Sequence, residues 1–155
     1  MSKSLKRVRA ALDAAGVPAD IRETALSRTA ADAAAAIGCT VDQIAKSIIL
    51  RGETSGKALL FVTAGGQQVD LEAAAKLAGE PLGKADAALI RAQTGFAIGG
   101  VSPVGHVTEA SKWFDSTLLK FNMIWAAAGT PHHVFGMNPA DMARISGAEV
   151  SDFIL

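Results

Sequence analysis

Lys46-Ser47-Ile48-Ile49-Leu50, answered across residues 52–56 by Lys57-Ala58-Leu59-Leu60-Phe61-Val62-Thr63, decides the fold class of this 155-residue chain. Both runs are rich in β-branched and large apolar side chains. The intervening Gly52-Glu53-Thr54-Ser55-Gly56 supplies the turn residues of a β-hairpin. Working outward, the flanking segments read as helices. Leu5, Val8, Ala11, Leu12 and Ala15 recur at helical spacing until Gly16. Thr29-Ala30-Ala31-Asp32 has the form of a capping box before an alanine-rich helix that Gly38 ends, and Thr40-Val41-Asp42-Gln43 caps a single turn just ahead of the hairpin. Downstream, Asp70 caps a helix through Leu77, and residues 87–94 form another that Gly95 stops. Phe96-Ala97-Ile98 reads as a short buried strand, and residues 123–128 and 133–137 as two more around Gly129-Thr130-Pro131. Asn138-Pro139-Ala140-Asp141 opens a helix with a cap, a proline at its first position and an acid in its first turn; residues 150–155 close the chain as a strand. Helices and strands that mix without strict alternation predict an α+β (mixed α/β) fold around a largely antiparallel or mixed sheet, with residues 1–155 as a single domain.

Composition narrows the function classes. Half the residues are hydrophobic, yet no run approaches the roughly 18 apolar residues of a membrane span. Lys3, Lys6, Arg7 and Arg9 precede Asp13 with no apolar stretch between, which argues against a secretory leader. The single cysteine, Cys39, excludes an internal disulfide, fits a reducing cytoplasm and reads as a small buried side chain. With 15 basic and 15 acidic residues the net charge is zero, so no extended grip on nucleic-acid phosphates is expected, and there is no helix-turn-helix signal for DNA. Lys3, Lys6 and Arg7 share one helix face, which reads as solvated, with a modest contact to an RNA stem as the alternative.

The residues with chemistry to offer lie mainly in Gly99-Gly100-Val101-Ser102-Pro103-Val104-Gly105-His106. Glycine lets main-chain N–H groups approach a ligand, and proline stiffens the exit, so such a loop can hold a carbonyl or carboxylate by its backbone. Ser102 is not a serine nucleophile of the elbow type, because the following residue, Pro103, has no N–H to give an oxyanion. His106, His132 and His133 belong to no metal-ligand spacing, and the last two would face opposite sides of a strand; hydrogen-bonding roles are expected, with one of them able to point into a site. Lys46 is either a surface lysine at a strand start or a cation at the rim of a site.

Taken in order, Gln43-Ile44-Ala45-Lys46-Ser47-Ile48-Ile49-Leu50, Val69-Asp70-Leu71, Thr94 to Gly105, Gly129-Thr130-Pro131-His132-His133-Val134-Phe135 and Asn138-Pro139-Ala140-Asp141 resemble the YbaK/prolyl-tRNA-synthetase editing-domain family across nearly the whole chain. The resemblance implies a curved central sheet surrounded by helices and an activity that hydrolyses the ester of an amino acid wrongly attached to tRNA, most often tRNA for proline. With no metal-ligand spacing in the chain, neither a metal nor a cofactor is expected. The resemblance matches Lys46 to the family's functionally important lysine, and Gly99 to Pro103 to its G-x-x-x-P substrate loop. His133 matches a histidine of the synthetase-embedded domains that YbaK-like members lack, which leans toward alanine or a similarly small residue. The implied catalytic set is Lys46, Gly99, Gly100 and His133, with Val101, Ser102, Pro103, Gly129, Thr130 and His132 binding substrate. In that pattern the substrate's own vicinal hydroxyl assists the attacking water.

That chemistry suits the residues. A synthetase that accepts proline cannot sterically exclude something smaller, since a missing methylene is worth about 1–3 kcal/mol. A second site must remove the errors, and loop N–H groups that meet the developing oxyanion contribute on the order of 10²–10³ in rate each. The expected partner is the acceptor end of a mischarged tRNA in the cytoplasm, with prolyl-tRNA synthetase or an elongation factor as helper and neither membrane nor DNA involved. Two rivals keep the same loop: a module that binds an aminoacyl-tRNA end or nucleotide without turnover, and a different small-ester hydrolase on this scaffold.

Overall fold

The computed structural model describes residues 2–155. In chain order its elements are α1 (Lys3–Ala15), β1 (Asp20–Glu23), α2 (Ala30–Ile37), β2 (Ile44–Gly52), β3 (Ala58–Ala64), α3 (Leu71–Ala78), β4 (Leu82–Lys84), α4 (Ala87–Thr94), β5 (Lys112–Asp115), β6 (Ile124–Ala127), β7 (His133–Met137), α5 (Pro139–Ser146) and β8 (Glu149–Ser151). The caps read from sequence form: Thr29 accepts from the Asp32 N–H, Asp70 from Glu72 and Ala73, and Asn138 from Ala140 and Asp141.

The strands make one open, mixed sheet in the order β1-β7-β6-β2-β3-β5-β8, with β4 also on β2. The β2–β3 hairpin is antiparallel, with Lys46 opposite Thr63. The pairs β2–β6, β3–β5 and β5–β8 are parallel, while β1–β7, β6–β7 and β2–β4 are antiparallel. The hairpin therefore sits in the middle of the sheet. Alternate residues of β3 enter different cores. Leu60, Val62 and Ala64 pack with Val8, Phe96, Phe114 and Phe135, whereas Leu59 and Phe61 pack with Ala74, Trp113 and Phe153. Burial on both faces is why this run reads as continuously apolar.

One feature of the pairing places the site. On the edge away from β3, β2 pairs with β6 through Ile44 and Ala45 and with β4 through residues 50–52. Among the described residues, 46–49 pair only with β3, and the sheet parts there.

Two sequence expectations need correction. Phe96-Ala97-Ile98 is not a strand: Gly95 ends α4, the Thr94 hydroxyl accepts the Phe96 N–H at 3.0 Å, and Arg7 donates to the Gly95 carbonyl at 2.7 Å. Tied to a helix end and to α1, the segment buries Phe96 and exposes Ile98 to 63%. Residues 150–155 are not one strand either; β8 stops at Ser151, and Ile154 makes a lone bridge to Val69. Three short strands, β1, β4 and β5, carry no expectation from the sequence.

Candidate functional site

The parted edge of β2 opens onto a cavity of about 680 Å³, within the size range of small-ligand sites. Its walls come from β2, the start of β6–β7 pairing, the glycine loop and the segment leading into α2. Ala33, Val41, Ile44, Ile90, Trp125 and Val134 make much of the surface apolar. Lys46, Gly99, Val101, Thr130 and His133 all line it, so residues far apart in sequence converge.

Lys46 projects from β2 and donates to the carbonyls of Gln67 (2.6 Å) and Gly65 (3.2 Å), just beyond the end of β3. Burial holds its pKa below the ordinary lysine value, against the raising pull of nearby Asp42. Two of its three N–H groups are thereby fixed, which orients the third and the charge. Asp42 itself accepts from the Gly66 N–H at 2.8 Å and from the Gln67 amide, so it stiffens the turn that holds the lysine.

The glycine loop is braced on three sides. Ser47 Oγ donates to the Val101 carbonyl at 2.8 Å, which fastens the loop to the stretch of β2 whose outer edge is open. A Cβ on Gly100 would stand 2.9 Å from Thr130 Cα, so the glycine loop and the 129–133 turn touch backbone to backbone. Gly129 has φ +97°, and a Cβ there would meet the Ser4 main chain of α1 at 2.8 Å. The Gly100 N–H closes a turn onto the Ala97 carbonyl at 3.0 Å. Among the described residues, the N–H groups of Gly99 and Val101 make no hydrogen bond. Ser102 is fully buried, with its Oγ accepting from the Val104 N–H, and Pro103 is buried beside it. Neither of these two, nor Gly100 or Gly129, is in the cavity wall; they support it.

The two adjacent histidines part company. His133 lines the cavity, and its Nδ1 lies 2.7 Å from Thr130 Oγ1. The same hydroxyl oxygen accepts from the His132 N–H at 3.1 Å, so one threonine side chain holds both the turn and the ring. The His132 side chain is exposed and outside the wall. His106 is buried under the glycine loop, its Nε2 2.5 Å from the Ser102 carbonyl and its ring edge-on to Phe96.

Two smaller expectations are refined. Arg7 leaves the basic face of α1 and turns inward, donating to the Gly105 and Gly95 carbonyls and lying 4.8 Å over the Phe96 ring; only Lys3 and Lys6 of that trio are exposed. Cys39 is half-buried, and burial pushes its thiol pKa up, away from a reactive thiolate. Among the described residues no three His, Cys, Asp or Glu side chains converge, and no helix is long and apolar enough to cross a membrane.

Sequence reasoning missed one whole wall. Residues 27–31 border the cavity, held there because the Thr24 and Ser27 N–H groups donate to the carbonyls of His132 (2.7 Å) and Pro131 (3.0 Å). Ile98 and Trp125 were also unforeseen as lining residues. Arg22 of β1 lies 4.6 Å over the Trp125 ring, clamping it from the other side.

An open mixed sheet thus parts at its central strand over a cavity bordered by a lysine, a glycine loop and a histidine. The chain belongs to the aminoacyl-tRNA editing domain family, whose model matches residues 24–145. The uncharacterized protein YwhH of Bacillus subtilis (strain 168) is 29% identical over 124 residues, covering 80% of this chain and 78% of that protein. The crystal structure of a candidate trans-editing enzyme for prolyl tRNA synthetase matches with a TM-score of 0.92 at 41% identity, covering 100% of this chain and 99% of that one. The hypothetical protein APE2540 matches with a TM-score of 0.88 at 25% identity, covering 96% and 99%.

Proposed function

We propose that this chain is a free-standing deacylase that hydrolyses the ester of a small amino acid mischarged on tRNA, with alanine on tRNA for proline as its leading substrate. The observation that carries the reading is the meeting of Lys46, Gly99, Val101, Thr130 and His133 around one cavity whose remaining wall is mostly apolar. Membership of the editing family and the likeness to a candidate trans-editing enzyme for prolyl tRNA synthetase support it.

In this reading the aminoacyl end of the tRNA enters the cavity. Water attacks the ester carbonyl carbon, the bond to the ribose oxygen breaks, and free amino acid and uncharged tRNA leave. One proton of the water passes through the vicinal hydroxyl to the ribose oxygen, and the other is released as the new carboxyl group ionises. Gly99 and Val101, whose N–H groups are unspent, are the oxyanion donors; Gly100, whose N–H holds the turn, shapes the loop. Lys46 supplies fixed positive charge beside the ester or the terminal phosphate. His133, oriented by Thr130, positions the amino acid or the terminal adenosine. The apolar wall excludes bulk water and strengthens each of these interactions. The whole chain acts as one editing unit in the cytoplasm, with prolyl-tRNA synthetase or an elongation factor as the partner that delivers substrate.

The test is deacylation of tRNA for proline charged in turn with alanine, cysteine, serine and proline. Rapid release of a small amino acid with proline spared is expected. Release of none of them removes the proline-editing assignment.

A further inference from the structure

The residues that line the cavity include two basic side chains, Lys46 and Arg28, and no carboxylate. That imbalance is local, because the chain as a whole has no net charge. Asp42 lies near Lys46 and Asp32 accepts the Arg28 main-chain N–H, but neither carboxylate lines the cavity; two basic side chains at its mostly apolar wall favour an anionic ligand. In an aminoacyl ester the amino acid's own carboxyl group is blocked. The only anions that such a substrate brings are the phosphodiesters of the RNA strand.

The two cations are not equivalent. Lys46 spends two N–H groups on the Gly65 and Gln67 carbonyls. The Arg28 guanidinium makes no side-chain hydrogen bond or ion pair among the described residues, and the residue is exposed at the mouth. Elsewhere in the fold, Arg7 is held by carbonyls, and Arg22, Arg51 and Arg144 pair with Asp20, Glu53 and Asp141; Arg9 and Arg91 also make no side-chain bond among the described residues, but neither lines the cavity. The main chain beneath Arg28 is nevertheless fixed. Its own N–H donates to Asp32 Oδ2 at 3.2 Å, and the preceding Ser27 N–H donates to the Pro131 carbonyl at 3.0 Å, in the turn that carries Thr130 and His133. A side chain with five unspent donors thus stands on a backbone tied to the site. A guanidinium fork matches two phosphate oxygens at once, which a lysine ammonium does not.

We infer that Arg28 grips a phosphodiester of the single-stranded RNA 3′ end as it enters the cavity, leaving the Lys46 charge for the ester itself. This assignment rests on the editing reading for the identity of the strand. It makes Arg28 a determinant of RNA binding and gives it no part in breaking the bond.

The experiment measures binding of an uncharged RNA oligonucleotide ending in CCA, across a salt series, to the wild type, Arg28→Ala, Arg28→Lys and the surface control Arg9→Ala. Loss of one charge-assisted contact should weaken Arg28→Ala binding by about ten-fold and flatten the log–log salt slope by about 0.7 for a single-stranded ligand. Arg28→Lys should recover the slope better than the affinity, and Arg9→Ala should bind as the wild type does. Kinetics provide the second readout: KM for alanyl-tRNA should rise in Arg28→Ala with kcat nearly unchanged, while cleavage of alanyl-adenosine, which has no phosphate, should be unaffected. Equal binding by wild type and Arg28→Ala overturns the assignment, as does failure of the wild type to bind the oligonucleotide. An equal loss on alanyl-adenosine overturns it too, because Arg28 would then act on the aminoacyl group or on the fold. Intact, Arg28-dependent RNA binding with no deacylation would sink the catalytic reading alone.

Discussion

The Lys46 ammonium donates to the Gln67 carbonyl at 2.6 Å, and this bond spans a strand end and the turn that follows its partner strand. With the second bond to Gly65, it converts a flexible side chain into a fixed charge at the cavity wall. Lys46→Ala should therefore lose deacylation by about 10²–10³-fold, the size of a removed transition-state donor. Because Lys46 is half-buried and outside the apolar cores, melting temperature should move little. Lys46→Arg should fail nearly as badly, since a planar fork does not fit between two carbonyls placed for an ammonium. Single-turnover deacylation alongside thermal melts checks both. A Lys46→Ala enzyme with wild-type rates would remove the residue from the mechanism.

Thr130 orients His133 through the 2.7 Å contact between Oγ1 and Nδ1. Thr130→Val keeps the shape, removes the hydroxyl and releases the ring, and activity should fall by roughly ten-fold, the cost of about one hydrogen bond. Thr130→Ser should retain most of it. Rates for the two variants that match each other would show that the hydroxyl has no positioning role.

Much of this architecture is legible in sequence because local rules and burial agree. The β2–β3 hairpin, the caps at Thr29, Asp70 and Asn138, and the glycine stops all announce themselves by residue type. β5 does not, because its ends are charged: Lys112 is buried with its ammonium on the Ser146 carbonyl, and Asp115 is buried accepting from the Ala64 N–H. Only tertiary partners make Lys-Trp-Phe-Asp a core strand. Phe96-Ala97-Ile98 misled for the converse reason, since apolar content says nothing about a backbone already tied down by Thr94 and Arg7. In the site, Lys46 and the glycine loop stand out as motifs, whereas Arg28 and Trp125 are unremarkable until the β1–α2 connection folds against the 129–133 turn.

The glycine loop meets the 129–133 turn backbone to backbone behind the cavity wall. A Cβ at Gly100 would lie 2.9 Å from Thr130 Cα and 3.0 Å from Thr130 N, and neither atom is the end of a movable side chain. Gly100→Ala should push the two loops apart, at a cost of about 1–3 kcal/mol in stability, and should lower kcat more than it raises KM for a bound aminoacyl end. Denaturant unfolding and steady-state kinetics on one preparation test this. An unchanged midpoint would mean that the loops yield freely.

His106 predicts how stability depends on acidity. The Ser102 carbonyl can only accept, so Nε2 carries the proton at 2.5 Å, and the neutral ring leaves Nδ1 as a buried lone pair without a partner. Burial, then the positive charge of Lys112, lower its pKa from 6.5 to about 4, with Arg7 adding a smaller push and the Ser102 carbonyl and Glu109 opposing. The unfolded chain thus takes up this proton near pH 6.5 and the folded chain only near pH 4. Between those values the unfolded state binds more protons, so stability is complete above the upper limit and declines as pH falls toward the lower one. The decline attributable to this ring is at most about 3 kcal/mol. His106→Leu removes the titration while filling the same apolar space, so its unfolding free energy should change less than the wild type's between pH 7 and pH 4.5. Urea titrations at those two pH values give the comparison directly, and parallel losses in the two proteins would assign the acid sensitivity to other groups.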